Sequence, residues 1–266
     1  MTTAGGVKGA PILELEDAPP LHPFLSGLVD PQPGDRVLDL GCGAGGTLKQ
    51  MALDCPGDLR LIGLDISTET LVAARSALRD AKVSDRVQLV QADANDRLGF
   101  EDGVFHKVVC HNVLECLPKP ELVLREVHRI MRPGGRLVLS HTDFDTVVFN
   151  STVPSLTREI VHRYADRQQP WMAAADGLIG RRLPGLVSAD FELVGVHPFV
   201  LTGLSYKPGS YPYEQVRHMV RTLADALPVR EIERWRADLE QLAEQGAFFY
   251  SENVYAVVAR PRSGPR

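Results

Sequence analysis

Up to residue 141 the chain alternates between two hydrophobic patterns. Short runs dense in Val, Leu and Ile are followed by stretches whose apolar residues recur every three or four positions. The first pattern marks strands buried on both faces and the second marks amphipathic helices, so their alternation predicts βαβ units and a parallel sheet. "DRVLDLG" (35–41) is predicted as the first strand, with "TLKQMALDC" the helix after it. "LRLIGLDIS" and "DRVQLVQADA" follow as the second and third strands, with "TETLVAARSALRDAKV" as the helix between them. "HKVVCHNVLECL" reads as a fourth strand running into a loop, and "KPELVLREVHRIM" as a helix with apolar residues at 122, 124, 127, 130 and 131. "GGRLVLSHTD" is the fifth strand. Together these predict a doubly wound α/β sheet.

Beyond residue 141 the rhythm changes. "SLTREIVHRYADRQ" and "WMAAADGLIGRRLPGLV" are expected to be helical, and "FELVGVHPFVL" and "AFFYSENVYAVVAR" to be strands separated by a loop and two more helices. Such a late pair would add an antiparallel edge to the parallel sheet. The layout expected is one domain over 1–260, with a core at 30–145 and a helical cap at 146–188. Late strands are placed at 190–202 and 247–259, around a lid and helical insertion at 203–246, and 261–266 is read as a disordered tail.

Composition narrows the class. With 266 residues, 44% hydrophobic and 24% charged, the chain can bury a sizeable core, and its net charge of −5 offers no field for a phosphate backbone. Nucleic acid is therefore not an expected partner. The opening "MTTAGGVKGAPILELEDAPP" lacks the apolar core of a signal peptide, and no run is long enough to span a bilayer, so no membrane partner and a cytoplasmic location are expected. Cys42, Cys55, Cys110 and Cys116 form no CxxC pair and read as small buried hydrophobes in a reducing compartment.

Candidate chemistry begins at "VLDLGCGAGG" (37–46), where Gly41, Gly43 and Gly46 satisfy the dinucleotide fingerprint. Glycines between a strand and a helix allow backbone N–H groups to approach a ligand closely. Asp39 separates the possible ligands: a carboxylate two residues before the first glycine repels a pyrophosphate but attracts the α-ammonium and sulfonium of S-adenosylmethionine. Asp65, ending "LIGLD", stands where an acid accepts from a ribose diol. In "QADA", the carboxylate of Asp93 suits the exocyclic amine of adenine, and the N–H of Ala94 suits a ring nitrogen. Each acid alone reads equally as a turn or cap residue, but three at consecutive strand ends form a site pattern.

In order and spacing, "VLDLGCGAGG", "GLDIS", "QADA", "VVCHNVLECL" and "MRPGGRLVLS" resemble the motifs of the class I S-adenosylmethionine-dependent methyltransferases, within residues 30–145. The chain is similar to their small-molecule branch, which includes ubiquinone and menaquinone biosynthesis enzymes. The resemblance implies a seven-stranded sheet whose last strand is antiparallel, with S-adenosylmethionine bound at its C-terminal edge and S-adenosylhomocysteine as product. It implies that Gly41, Cys42, Gly43 and Gly45 line the methionine end and that Asp39 is the motif's acid. Asp65 and Ile66 then hold ribose and adenine, Asp93 and Ala94 the adenine, and His111 the sulfonium side.

Methyl transfer is an in-line displacement dominated by alignment and desolvation, so a missing triad is uninformative. "SHTDFD" offers His141 and Asp143 as a pair able to orient and deprotonate an acceptor, with His111 as a further catalytic candidate; a hydrogen-bonded structural histidine is the competing reading. Asp145 adds a third group, but no metal site is assigned, because metal ligands usually converge from several elements. "GLSYKPGSYPY" (203–213) suggests a lid carrying Tyr206, Tyr211 and Tyr213 toward the substrate, and Trp171 a roof over it. Packing is the competing reading of the same aromatics, and the more usual one for tyrosines in such a loop. The expected partner is a small organic methyl acceptor whose identity is not legible, nor is the oligomeric state. A non-catalytic S-adenosylmethionine-binding or scaffold protein and a nicotinamide-dependent oxidoreductase stay open as alternatives.

Overall fold

The structure, a computed structural model, describes residues 21–173 and 176–262. The opening stretch and residues 263–266 of the expected tail lie outside the described residues. The elements are α1 (Leu21–Val29), β1 (Arg36–Leu40), α2 (Gly46–Asp54), β2 (Arg60–Asp65), α3 (Thr68–Asp80), β3 (Val87–Gln91), β4 (Phe105–His111), α4 (Pro120–Ile130) and β5 (Met131–Phe149). They continue as α5 (Pro154–Ala165), α6 (Ile179–Val187), β6 (Phe191–Gly203), α7 (Tyr211–Thr222), α8 (Val229–Glu244) and β7 (Tyr250–Pro261).

Local chemistry fixes several boundaries. The Ser67 hydroxyl caps α3 by accepting from the Thr70 N–H at 3.2 Å, and proline in the first turn starts α4, α5 and α7, where its missing N–H costs nothing. The strands form one seven-stranded sheet in the order β3-β2-β1-β4-β5-β7-β6. Pairs among β1 to β5 are parallel, and β7 runs antiparallel to both neighbours. The strand order reverses between β1 and β4, which opens a crevice at their C-terminal ends.

Strand alternation sorts β1 into two cores. Leu38 and Leu40 join Val123, Leu124, Val127 and Ile130 of α4 and Ile179, Leu183 and Val187 of α6 on one face. Val37 joins Leu48 and Met51 of α2 and Leu71 and Leu78 of α3 on the other. Asp39 shares the parity of Val37, so a carboxylate occupies a position where an apolar side chain would pack.

The late strands join one side of the parallel sheet as an antiparallel pair, as expected. Their order is the reverse of their order in the chain: β7 lies inside, between β5 and β6, and β6 forms the edge. Burial explains this, because Val254, Ala256, Val257, Val258 and Ala259 of β7 are all withdrawn from solvent whereas β6 exposes Val194, Val196 and Val200.

Four local expectations need correction. Residues 146–149, assigned to the cap, belong to β5, whose pairing with β7 breaks after Asp143 and resumes at Val148. The cap itself combines α5, α7 and α8 around the fully buried Trp235, while α6 packs on the sheet. The stretch from Trp171 is helical only from Ile179, because tertiary partners claim its backbone: the Ala173 N–H donates to Glu115 O at 2.9 Å and Gly177 O accepts from Phe144 N at 2.9 Å. Finally, Tyr211 and Tyr213 open α7 rather than lying in a loop.

Candidate functional site

The loop after β1 is sewn to the end of β2. The N–H groups of Gly41 and Cys42 both donate to Leu64 O, at 2.7 and 2.9 Å, and the Gly43 N–H donates to Asp65 Oδ2 at 2.8 Å. Gly41 has φ +76° and a Cβ there would stand 2.2 Å from Val113, whereas a Cβ on Gly43, at φ +50°, would meet no atom of the described residues within 4 Å. The loop is therefore tight underneath and open above Gly43. Gly45 caps α2 in the left-handed conformation. Cys42 sends its side chain down, where its sulfur fixes the space beside Gly63, and burial pushes its thiol pKa up, with Asp39 and Asp65 adding to the rise. Its thiol is a core group.

Gly46 has its own reason to be glycine. A Cβ there would stand 2.3 Å from Nε2 of His22, a residue of α1 that no sequence motif marks. The His22 ring is held by Nδ1 against the Thr47 hydroxyl at 3.0 Å. The third glycine of the fingerprint thus makes room for a helix packed over the loop.

The three acids take different roles. Asp39 is buried, and among the described residues none donates a hydrogen bond to its carboxylate. Burial, reinforced by the charge of Asp65, raises its pKa to about 7. Asp65 accepts from Ser67 N at 2.9 Å and from the Thr70 hydroxyl at 3.1 Å through Oδ1, fastening the loop to the start of α3. Ile66 beside it is 56% exposed, an apolar face presented at a strand end. Asp93 forms an Asx turn, taking the N–H and side-chain amide of Asn95 through Oδ1, with Ala94 buried behind it.

At the end of β4, His111 rests its Nδ1 on the Ser140 hydroxyl at 2.9 Å. Burial, then the charges of His22 and His141, lower its pKa to about 3, so the ring is neutral. Asn112 adopts a left-handed φ of 50° and is pinned by accepting from Thr142 N at 2.9 Å. Asparagine directly after a strand-end histidine is the signal for this turn, because its local side-chain bonding makes that conformation accessible.

The expected His141–Asp143 pair is not formed. Nε2 of His141 lies 2.8 Å from Oε2 of Glu115, an ion-pair contact off the line of a hydrogen bond, and Nδ1 meets Thr142 O. Both partners are buried. Burial acts to lower the His141 pKa, but Glu115 outweighs it and the net shift is upward. Asp143 instead takes a two-pronged bond from Arg181 of α6, at 2.6 and 2.7 Å, and Asp145 joins the same guanidinium at 3.2 Å. The "SHTDFD" cluster is thus split: His141 meets Glu115, whereas Asp143 and Asp145 share Arg181 of α6.

The aromatic candidates pack into the cap. Tyr206 stacks on Phe248 at 5.0 Å and tilts against Tyr213 at 5.3 Å. The hydroxyls of Tyr211 and Tyr250 both donate to the buried carboxylate of Glu252, the latter at 2.7 Å. Trp171 sits 4.8 Å from the ring of His218, which in turn lies 5.9 Å from Tyr164. These partners come from α5, α7, β7 and the segment between α8 and β7.

The open glycine loop, the exposed Ile66 and the acids Asp39, Asp65 and Asp93 stand at the C-terminal ends of β1, β2 and β3. Comparison with known proteins supplies the class. A family described as "Methyltransferase domain" matches residues 31–193, and the chain belongs to that family. It is 30% identical over 236 residues to a 37.1 kDa protein in transposon TN4556 of Streptomyces fradiae, covering 87% of this chain and 64% of that protein. It is 34% identical to the demethylmenaquinone methyltransferase of Lactiplantibacillus plantarum over 49% of this chain and 59% of that enzyme. The chain therefore spans about three fifths of the length of each relative. Among solved structures, the [4+2]-cyclase SpnF shares the fold at TM-score 0.56 and 20% identity, covering 92% of this chain and 81% of that one. No helix among the described residues is long and apolar enough to cross a membrane.

Proposed function

We propose that this protein transfers the methyl group of S-adenosylmethionine to N, O or C of a small organic acceptor. The observation that carries the reading is Asp39: a buried carboxylate that takes no hydrogen bond from the described residues, beside a loop that is open above Gly43. An anion kept there against its desolvation is explained by a cationic ligand and contradicted by a pyrophosphate. The residues present fit S-adenosylmethionine, which supplies a methyl carbon already activated by its positive sulfur.

The chain's own part is to hold and to exclude water. Asp39 receives the ammonium, Asp65 and Ile66 the ribose and one adenine face, and Asp93 with the Ala94 N–H the adenine edge. His111, neutral at working pH, borders the sulfonium without repelling it, and Ser140 on Nδ1 leaves Nε2 for the ligand. His141 and Asp143 act as positioning residues: one fixes the turn after β4 through Glu115, the other fixes α6 through Arg181. His111 remains the candidate for direct contact with an acceptor.

The relatives support a small acceptor, since one is named for demethylmenaquinone. The fold alone does not decide the reaction, because a cyclase shares it. The test is a screen of small phenols, amines and activated carbon acids with methyl-labelled cofactor. Label in an organic product supports the proposal. Tight S-adenosylhomocysteine binding with no labelled product from any class would favour a binding protein instead.

A further inference from the structure

A second concave site lies at one edge of the sheet. Beside β3, the edge strand that pairs only with β2, a cavity of about 310 Å³ is lined by Arg75, Leu78, Arg79, Ser84, Val87 and Leu89. Part of its wall is apolar: Leu78 is buried, and Val87 and Leu89, which share one face of β3, are partly buried against the same core. The exposed part is cationic, with Arg75 and Arg79 on consecutive turns of α3 and the exposed Ser84 after them. Neither guanidinium has a carboxylate partner among the described residues, the Ser84 hydroxyl makes no hydrogen bond there, and no acidic residue lines the cavity. The strand register separates this place from the strand-end acids: Val87 and Leu89 stand beside Leu61 and Gly63 of β2, whereas Asp65 closes that strand beside Gln91.

Arg79 suits the last turn of a helix, where a cation offsets the dipole, but Arg75 four residues earlier sets a like charge on the same face, which by itself weakens a helix. Two unneutralised guanidiniums beside an apolar wall are complementary to a molecule with an apolar body and an anionic end. The volume stands at the small end of the range for ligand pockets and suits one compact ring system. We propose that this cavity is a second binding site, for a small aromatic carboxylate whose rings lie on Leu78, Val87 and Leu89 and whose carboxylate is held by Arg75 and Arg79. The site stands independently of the methyltransferase reading, because it uses no residue of the glycine loop and none of the strand-end acids.

The probe is naphthoate, with naphthamide as the same rings without the charge and acetate as the charge without the rings. Calorimetry gives Kd for the wild type, Arg75→Gln, Arg79→Gln and Arg79→Lys, and amide chemical shifts locate the ligand. Both arginines are exposed, so replacing them leaves the core and the fold intact. Naphthoate should bind saturably, with larger shifts at Ser84, Val87 and Leu89 than at Gly43 or Asp65. A charge-assisted hydrogen bond is worth about tenfold or more in Kd, so each glutamine variant should weaken naphthoate by about that factor. Arg79→Lys, which keeps the charge and loses the planar fork, should lose less. Naphthamide should bind about tenfold or more weakly than naphthoate, and acetate should not saturate at the same concentrations. No saturable naphthoate binding to the wild type, a Kd unchanged within about twofold in either glutamine variant, or shifts confined to the loop after β1 would overturn the proposal.

Discussion

Replacing Asp39 by Asn is expected to make the ligand-free protein more stable while destroying its hold on the cofactor. Asp39 is buried, and its pKa rises from 3.8 to about 7 on folding, chiefly by desolvation and secondly through Asp65. A folded pKa above the unfolded one means that between those values the folded chain binds a proton that the unfolded chain does not. Stability therefore falls as pH rises through this window and levels off above the folded pKa. A tenfold difference in proton affinity corresponds to about 1.4 kcal/mol, so going from pH 5 to pH 8 removes about 3 kcal/mol of stability through this one group. Asparagine has no charge to desolvate and removes that slope. Urea denaturation of both proteins without ligand, at pH 5 and pH 8, should show the variant gaining about 3 kcal/mol on the wild type between the two conditions. Calorimetry at pH 8 should show S-adenosylhomocysteine binding weakened at least tenfold. A stability difference independent of pH, or undiminished binding, would refute the view that Asp39 is a strained anion kept for a cationic ligand.

Other perturbations follow from the same contacts. Gly46→Ala places a methyl 2.3 Å from the His22 ring, so α1 must shift, and a loss of about 1–3 kcal/mol is expected in chemical denaturation together with weaker cofactor binding. Glu115→Gln removes the counter-charge of the buried His141; because the His141 pKa is raised on folding, the destabilisation should be full below the ordinary histidine value of 6.5 and shrink as pH rises through the folded pKa. Denaturation midpoints across that range check the sign, and a loss that grows toward alkaline pH would contradict the pairing. Tyr206→Ala, which strips a ring from Phe248 and Tyr213, should cost about 3 kcal/mol of stability and leave S-adenosylhomocysteine affinity unchanged, as denaturation and calorimetry on the variant would show.

The parts of this molecule legible in its sequence are those set by short-range pattern. The strands from "DRVLDLG" to "GGRLVLSHTD" announce themselves by apolar runs, and the acids at 39, 65 and 93 stand out because each closes such a run. What stays hidden depends on contacts between distant segments. His22 meets Gly46 only when α1 lies over the loop, and Glu115 meets His141 only through the β4–β5 register that sets His111 beside Ser140. The "SHTDFD" cluster misleads for a related reason: neighbours in sequence along a strand are handed to different partners, Glu115 for His141 and Arg181 for Asp143. The tyrosines of 206–213 read as a loop because Gly and Pro surround them, yet Pro212 stands in a helix's first turn, and Tyr206 and Tyr211 pack against the cap's core. The insertion of β7 between β5 and β6 is marked only by the denser apolar run of β7, because chain order suggests the reverse placement.

The most direct test of the central claim is calorimetry of the purified protein with S-adenosylhomocysteine and, separately, with NADH. The account predicts saturable binding of S-adenosylhomocysteine at one site, weakened by Asp39→Asn, and no binding of NADH. Binding of NADH without S-adenosylhomocysteine would contradict it.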